Sequence, residues 1–268
     1  MNVGEVNERA IASAFVSARR AGGALPEYPG VIPVTLEAAY AVQEHAISLD
    51  GRRIGGWKLG RIQPPQSSEL GAERLAGPIF ADTIVEANGA AVEMTVFPHG
   101  FAAAEAEFLL RIGADADPAR TEWSLEDARA LVDSVRVGIE IASSPLTTIN
   151  MLGSAVTVSD FGNNNGLVLG PELPGWRDAD LDTIAVELHI DGALIGANTT
   201  AAMLDGPYGS VRFLLGHAAR RGRPLKAGDW ISTGAVTGVH EVSIGARVEA
   251  RFGNSLKVEC VIVSEQQK

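Results

Sequence analysis

Ala102-Ala-Ala-Glu105-Ala-Glu107-Phe-Leu-Leu-Arg111 alternates with the period of a β-strand. Ala104, Ala106, Phe108 and Leu110 fall on one face, and Glu105, Glu107, Leu109 and Arg111 on the other. Residues two apart on a strand stand about 6–7 Å apart, so the two carboxylates share a face and can converge on one ion. Spacing alone leaves two readings open. One is a divalent-cation site; the other is a solvated face whose glutamates pair with Arg111 or another base.

A second run, Val135-Arg-Val-Gly138-Ile-Glu140-Ile-Ala142-Ser, alternates in the same way. Val135, Val137, Ile139 and Ile141 make its core face, and Glu140 stands between Gly138 and Ala142 on the other. Those small neighbours leave room for a ligand beside the carboxylate, although an exposed polar face would look the same. Upstream, Arg53-Ile-Gly-Gly-Trp-Lys58-Leu-Gly60 reads as a strand whose glycines admit close approach of backbone or ligand. Lys58 there either snorkels to solvent or sits near an anion, partly desolvated, where it can exchange protons. Downstream, Trp230-Ile-Ser-Thr233-Gly234 ends a strand on a hydroxyl and bare amides, which suit an anion or simply a strand end. Asp160-Phe-Gly-Asn163-Asn-Asn165-Gly166 reads as a turn feeding the strand 167–170.

Helical spacing predicts a helix over 6–20 stopped by Gly22-Gly23, and a second one capped by Thr35 and ending at Asp50-Gly51. This opening segment reads as ancillary. Residues 61–77 read as a loop with one helical turn around Glu69-Leu70, followed by short strands over 78–85 and 91–96. Ser124 opens a helix over 125–133, a further helix spans 208–220, and hairpins cover 184–195 and 248–263.

A net charge of -11 with no dense Lys/Arg cluster excludes a polyanionic partner such as nucleic acid. No run approaches the length of a membrane span and the start lacks a secretory pattern, so the cytoplasm is the expected location. Cys260 is the only cysteine, which removes intrachain disulfides and cysteine metal clusters; its apolar strand context reads as structural. The five histidines are scattered, without a His-x-x-x-His or His-x-His pair. A nucleophile elbow, a phosphate loop and a dinucleotide fingerprint are all missing, so serine chemistry and nucleotide use recede.

Together Gly56-Trp-Lys58-Leu-Gly60, Glu105-Ala-Glu107-Phe, Gly138-Ile-Glu140-Ile, Asp160 with Gly166-Leu-Val-Leu-Gly170, and Gly222-Arg-Pro-Leu-Lys-Ala-Gly-Asp229 ending in Thr233-Gly234 resemble, in order, the fumarylacetoacetate hydrolase superfamily. Within it they resemble the branch of 2-keto-4-pentenoate hydratases and 4-oxalocrotonate decarboxylases. The resemblance implies an α+β fold: a mixed β-roll or distorted barrel over residues 53–268, preceded by a helical segment, 1–52, packed on it. It implies Mg²⁺ or Mn²⁺ held by Glu105, Glu107 and Glu140, with Lys58 as the active-site lysine and a small oxo acid or dienoate as substrate. It also implies a homo-oligomer, with a paralogous decarboxylase or hydratase as a possible partner. Leu70, Asn163 and Thr233 are the expected substrate-binding residues. The expected reaction is hydration of a 2-hydroxy-2,4-dienoate to a 4-hydroxy-2-oxo acid. Its rivals are decarboxylation, hydrolysis of an acylpyruvate, and a non-catalytic metal-binding role. The chain departs from the hydratases where Leu70-Gly71 is followed by Ala-Glu73-Arg without the Asp those enzymes carry, where Asn163 replaces a Ser, and where Ser143-Ser144-Pro145-Leu146 follows Glu140.

Overall fold

The computed structural model describes residues 3–266. Helix α1 (Val3–Arg20) buries Ile11 and Phe15, and α2 (Leu36–Asp50) lies against it. The Thr35 hydroxyl accepts from the Ala38 amide, and Gly51, at φ 74°, donates its amide back to Ile47, so both ends of α2 are capped as the sequence suggests. Gln43, buried on α2, donates to the carbonyls of Ala76 and Val158 at 3.1 and 2.9 Å. The helical segment is thereby tied to the sheet.

The remaining elements are β1 (Ile54–Arg61), α3 (Gln66–Leu70), β2 (Arg74–Phe80), β3 (Ile84–Glu86), β4 (Val92–Val96), β5 (Phe101–Ile112), α4 (Leu125–Leu131), β6 (Val132–Ser144), α5 (Ser154–Ser159), β7 (Asn164–Glu172), β8 (Val186–Ile190), β9 (Ala193–Asn198), α6 (Gly206–Arg220), β10 (Trp230–Ser232), β11 (His240–Glu241), β12 (Arg247–Phe252) and β13 (Leu256–Ser264). One sheet runs β2-β1-β10-β5-β6-β7-β3, with β11 paired to β5; the other runs β4-β13-β12-β8-β9. Both are mixed, since β1 runs parallel to β10, β3 to β7, and β4 to β13, while the other pairs are antiparallel. The sheets curl into a half-barrel around one apolar core that includes Phe108, Ile139, Val168 and Phe252. Among the described residues no helix is long and apolar enough to cross a membrane.

Strand β2 starts at Arg74, earlier than Gly77-Pro78 suggested. Pro78 pairs with Trp57 on the outermost strand, where the ladder does not need its missing amide proton. Helix α5 precedes the Asn-rich turn and was not anticipated, and α4 stops at Leu131, so β6 begins earlier than expected, at Val132. Cys260 is fully buried, and burial pushes its thiol up to about 12, in keeping with a structural role.

Candidate metal centre

Strands β5 and β6 pair with Glu105 directly opposite Glu140 and Glu107 opposite Gly138. Residues opposite one another share a face, so the register puts all three carboxylates on the same side of the sheet. One oxygen from each lies within 4.8 Å of the others. The solvated-face reading fails, because Glu105 is 4% exposed and Glu107 and Glu140 are fully buried. Arg111 does not serve them; it pairs with Asp133 at 2.8 Å. Nor does Gly138 leave space for a ligand, since a Cβ there would stand 2.1 Å from the Leu109 side chain.

Lys58 comes from β1, with β10 lying between it and β5. Its Nζ lies 3.1 Å from Glu140 Oε2, and the lysine is itself 5% exposed. The glycine before Trp57 serves the backbone and not a ligand: a Cβ on Gly56 would stand 2.3 Å from the Trp230 carbonyl oxygen, so only glycine lets β1 and β10 meet. Ser232, beside Lys58 in register, donates its hydroxyl to Glu107 Oε2 at 2.6 Å, and the Gly234 amide donates to the same oxygen at 2.8 Å. The Thr-Gly strand end therefore does present an amide to an anion, and the anion is Glu107. The Thr233 hydroxyl is committed to the Phe108 carbonyl at 2.8 Å.

Glu140 Oε1 accepts from Asn164 Nδ2 at 2.8 Å. Glu107 Oε1 and Glu140 Oε2 are buried without a hydrogen bond of normal geometry, the latter having only its ion pair with Lys58. Burial, reinforced by Glu140 and Glu105, raises Glu107 well above the carboxylate range. Burial likewise lifts Glu140 to about 7, with Lys58 opposing the rise and Glu105 adding to it. Burial works to lower the Lys58 pKa, but Glu140, Glu105 and Glu107 outweigh it, and the ammonium is held above its ordinary range. These shifts describe a centre with more negative charge than one lysine neutralises.

A cleft of about 800 Å³ has Lys58, Glu105, Asn163 and Thr233 in its wall. Asn163, 3% exposed, donates to Asn150 at 3.3 Å and keeps a buried Oδ1 without a partner. Leu70 does not reach this wall. It packs with Ala39, Ile62, Leu75 and Val158, because α3 turns it toward α2 and α5. Glu73, the one acid in the altered loop that could stand for the missing Asp, is exposed and outside the wall.

Asn164, Ser232 and Arg19 escaped the sequence reading. Arg19, on the helix read as ancillary, is 8% exposed and forms a two-pronged ion pair with buried Asp160 at 2.5 and 2.9 Å. It also donates to the carbonyls of Ser143 and Asn164 at 3.0 and 3.1 Å. The guanidinium thus fastens the end of β6 to the start of β7, from which Asn164 reaches Glu140. The Asn-rich turn was the available signal for Asn164. Nothing in local spacing points from Arg19 to Asp160.

The model of the fumarylacetoacetate hydrolase C-terminal domain matches residues 79–266. The chain belongs to the fumarylacetoacetate hydrolase family. Its mixed sheets are of that family's fold type, as the sequence resemblance implied. It is 29% identical over 250 residues to the TodF product hydratase of Pseudomonas putida F1, covering 91% of each chain. It is 29% identical over 218 residues to 2-keto-4-pentenoate hydratase 1 of Dechloromonas aromatica, covering 80% of each. The solved 4-oxalocrotonate decarboxylase of Pseudomonas putida G7, complexed with magnesium and adipate, superposes with a TM-score of 0.78 at 21% identity, over 96% of this chain and 97% of that one. The hydratase and decarboxylase branch is thus the one to which this family member is similar.

Proposed function

We propose that the chain is a divalent-metal-dependent hydro-lyase that adds water to a 2-hydroxy-2,4-dienoate, giving a 4-hydroxy-2-oxo acid, in the breakdown of aromatic or related ring compounds. The observation that carries this reading is the trio of buried carboxylates within 4.8 Å of one another beside Lys58 in the cleft wall. Similarity to two hydratases at 29% identity supports the choice of reaction.

The donor set fits the ion. Three carboxylates against one ammonium leave two negative charges uncompensated in a buried site, which is costly without a cation. Glu107 Oε1, buried without a partner, and Glu140 Oε2, whose one partner is the Lys58 ammonium at 3.1 Å, are the oxygens best placed to ligate. An all-oxygen set suits a hard ion, Mg²⁺ or Mn²⁺. When bound, such an ion supplies Lewis acidity toward the charge that develops on a 2-oxo acid as it enolises. Ser232 and Gly234 fix the orientation of Glu107, and Asn164 that of Glu140. Lys58 is the proton carrier: its ammonium reaches the cleft and would donate to, or recover a proton from, the C2 oxygen. Asn163 Oδ1 and the backbone around Thr233 would contact the substrate.

A decarboxylase is the second reading, and one observation favours it. Among the described residues Glu105 is the only Asp, Glu or His in the cleft wall, which leaves no separate carboxylate to activate water. Decarboxylation needs none. We also propose that residues 53–268 form the catalytic domain, that the protein acts in the cytoplasm, and that it works as a homo-oligomer. The last rests on edge strand β9, which leaves Leu194 and Ile195 55% and 46% exposed.

The test is the ultraviolet absorbance of 2-hydroxypenta-2,4-dienoate incubated with pure protein and Mg²⁺ or Mn²⁺. Metal-dependent loss of the chromophore with formation of a 4-hydroxy-2-oxo acid is expected, and Lys58→Met should abolish it. Release of CO₂ from a 2-oxo-enedioate without dienoate hydration would replace this reading by the decarboxylase. Inertness toward a broad panel of dienoates and oxo acids would leave a metal-binding module.

A further inference from the structure

One wall of the cleft carries no charge. It is built by residues 63–66 at the start of α3, by the chain from 150 to 157, and by the turn that ends in Asn163; among the described residues none of its members is ionisable. Its polar groups are amides and hydroxyls, among them Gln66, Asn150, Ser154 and Asn163. The fold has already oriented two of the amides, in opposite senses.

Gln66, the first residue of α3, uses Oε1 to accept from the Ser154 amide at 3.0 Å and from the Ser154 hydroxyl at 2.8 Å. Both lone pairs of that oxygen are spent, which fixes the plane of the carboxamide. Nε2 is left as a donor without a partner among the described residues. Gly153 makes room for it, since a Cβ there would stand 2.6 Å from Nε2. Asn163 is the converse case. It is 3% exposed, spends Nδ2 on Asn150 Oδ1 at 3.3 Å, and keeps Oδ1 buried with no donor. A buried acceptor left unpaired is destabilising, and the fold supplies nothing to pair it. An occupant of the cleft that brings a donor to this wall relieves that cost.

We propose that Gln66 and Asn163 are specificity-determining residues for a hydroxylated substrate: a 2-oxo or 2-hydroxydienoic acid whose tail bears one or more hydroxyls that accept from Gln66 Nε2 and donate to Asn163 Oδ1. The inference rests on the reading of the glutamate trio and Lys58 as the site that takes the oxo-acid end. A hydroxyl suits this wall because it accepts and donates through one small group. A carboxylate cannot donate to Asn163, and this stretch of wall offers it no cation. An alkyl tail would leave the Gln66 donor and the Asn163 acceptor both unpaired, which is how a site built for a hydroxyl rejects the analogue that lacks it.

The experiment uses oxamates, unreactive chelators that present the carboxylate and carbonyl of a 2-oxo acid and carry a variable tail on nitrogen. N-(2-hydroxyethyl)oxamate and N-(3-hydroxypropyl)oxamate are compared with their isosteres N-propyloxamate and N-butyloxamate, and with N-(carboxymethyl)oxamate, by calorimetry on the Mn²⁺-loaded protein. In wild type at least one hydroxylated oxamate should bind about tenfold or more tightly than its alkyl isostere, and more tightly than the carboxymethyl compound. Gln66→Met keeps the length of the side chain, and Asn163→Gly is free of backbone strain at φ 64°. Each should bring the ratio within a pair to about twofold or less. Equal affinities within both pairs in wild type, tightest binding of the carboxymethyl compound, or a preference that survives either variant would overturn the proposal and leave the oxo-acid site standing. Failure of unsubstituted oxamate to bind in the presence of Mn²⁺ would overturn both this inference and the reading on which it rests.

Discussion

Glu107 makes the sharpest residue-scale case, because its two oxygens live differently. Oε2 is saturated by Ser232 and Gly234, while Oε1 is fully buried with no partner. An ionised carboxylate in that position, beside Glu105 and Glu140, is tolerable only when a cation shares the site. Glu107→Gln should therefore act with opposite sign in the two states. Mn²⁺ affinity, measured by calorimetry, should fall at least about 100-fold, since a ligand and not an outer partner is lost. The metal-free protein should instead gain about 1–3 kcal/mol at pH 7, because a carboxyl that ionises far more readily in the unfolded chain than in its buried site is replaced by a neutral amide of the same shape. Urea denaturation in EDTA reads the second effect. A variant that is destabilised in EDTA, or that binds Mn²⁺ as wild type does, would remove Glu107 from the metal centre.

At the scale of elements, the strands that carry the site were readable and their mutual placement was not. Alternation in 102–111 and 135–143 marked β5 and β6 as strands and put each glutamate on a definite face, but periodicity says nothing about register. The opposition of Glu105 and Glu140 depends on twelve paired positions along β5 and β6. Burial of both faces was equally hidden, since a strand covered on both sides by other layers can still alternate. Helix α1 shows the largest gap between spacing and structure: its apolar stripe predicted a helix, yet its consequence for the site lies in Arg19, which reaches Asp160 across 141 residues of chain. Arg19→Met would leave Asp160 fully buried without its ion-pair partner, with Ser144 as its remaining side-chain hydrogen-bond donor. The expected cost is about 3–5 kcal/mol in chemical denaturation. The double variant Arg19→Met with Asp160→Asn should recover at least half of that, because the orphaned charge is gone. Mn²⁺ binding should weaken in the single variant as β7 loses its anchor to β6 and Asn164 shifts from Glu140. Full Mn²⁺ affinity in a destabilised Arg19→Met would confine the helix to a role in stability.

For the whole molecule, stability against pH combines a buried carboxyl pair and a buried histidine that pull in opposite directions. Glu107 and Glu140 have folded-state pKa values above the ordinary carboxylate range, so in the metal-free protein their contribution is best at low pH and worsens as pH rises toward neutrality. His217 on α6 does the reverse. Burial first, then Arg221 and Arg220, lower it from 6.5 to about 3, and its ring lies between Phe213, stacked at 5.2 Å, and Tyr40 at 4.7 Å, with Nε2 buried and unpartnered. Below pH 6.5 the unfolded chain takes up a proton that folded His217 refuses, so stability drains away as pH falls from 6.5 toward 3. At pH 5.5 this is worth about 1.4 kcal/mol relative to pH 8, or roughly 3 °C in melting temperature for a chain of this size. His217→Phe keeps the aromatic stack and cannot titrate. In EDTA the carboxylate contributions are common to both proteins and cancel in the comparison. The fall in melting temperature from pH 8 to pH 5.5 should then be roughly 3 °C smaller in His217→Phe than in wild type, whatever the absolute stability of the variant. Parallel pH profiles for the two proteins would mean that His217 takes up its proton in the folded state as readily as in the unfolded one, and that the acid limb of the stability curve originates elsewhere.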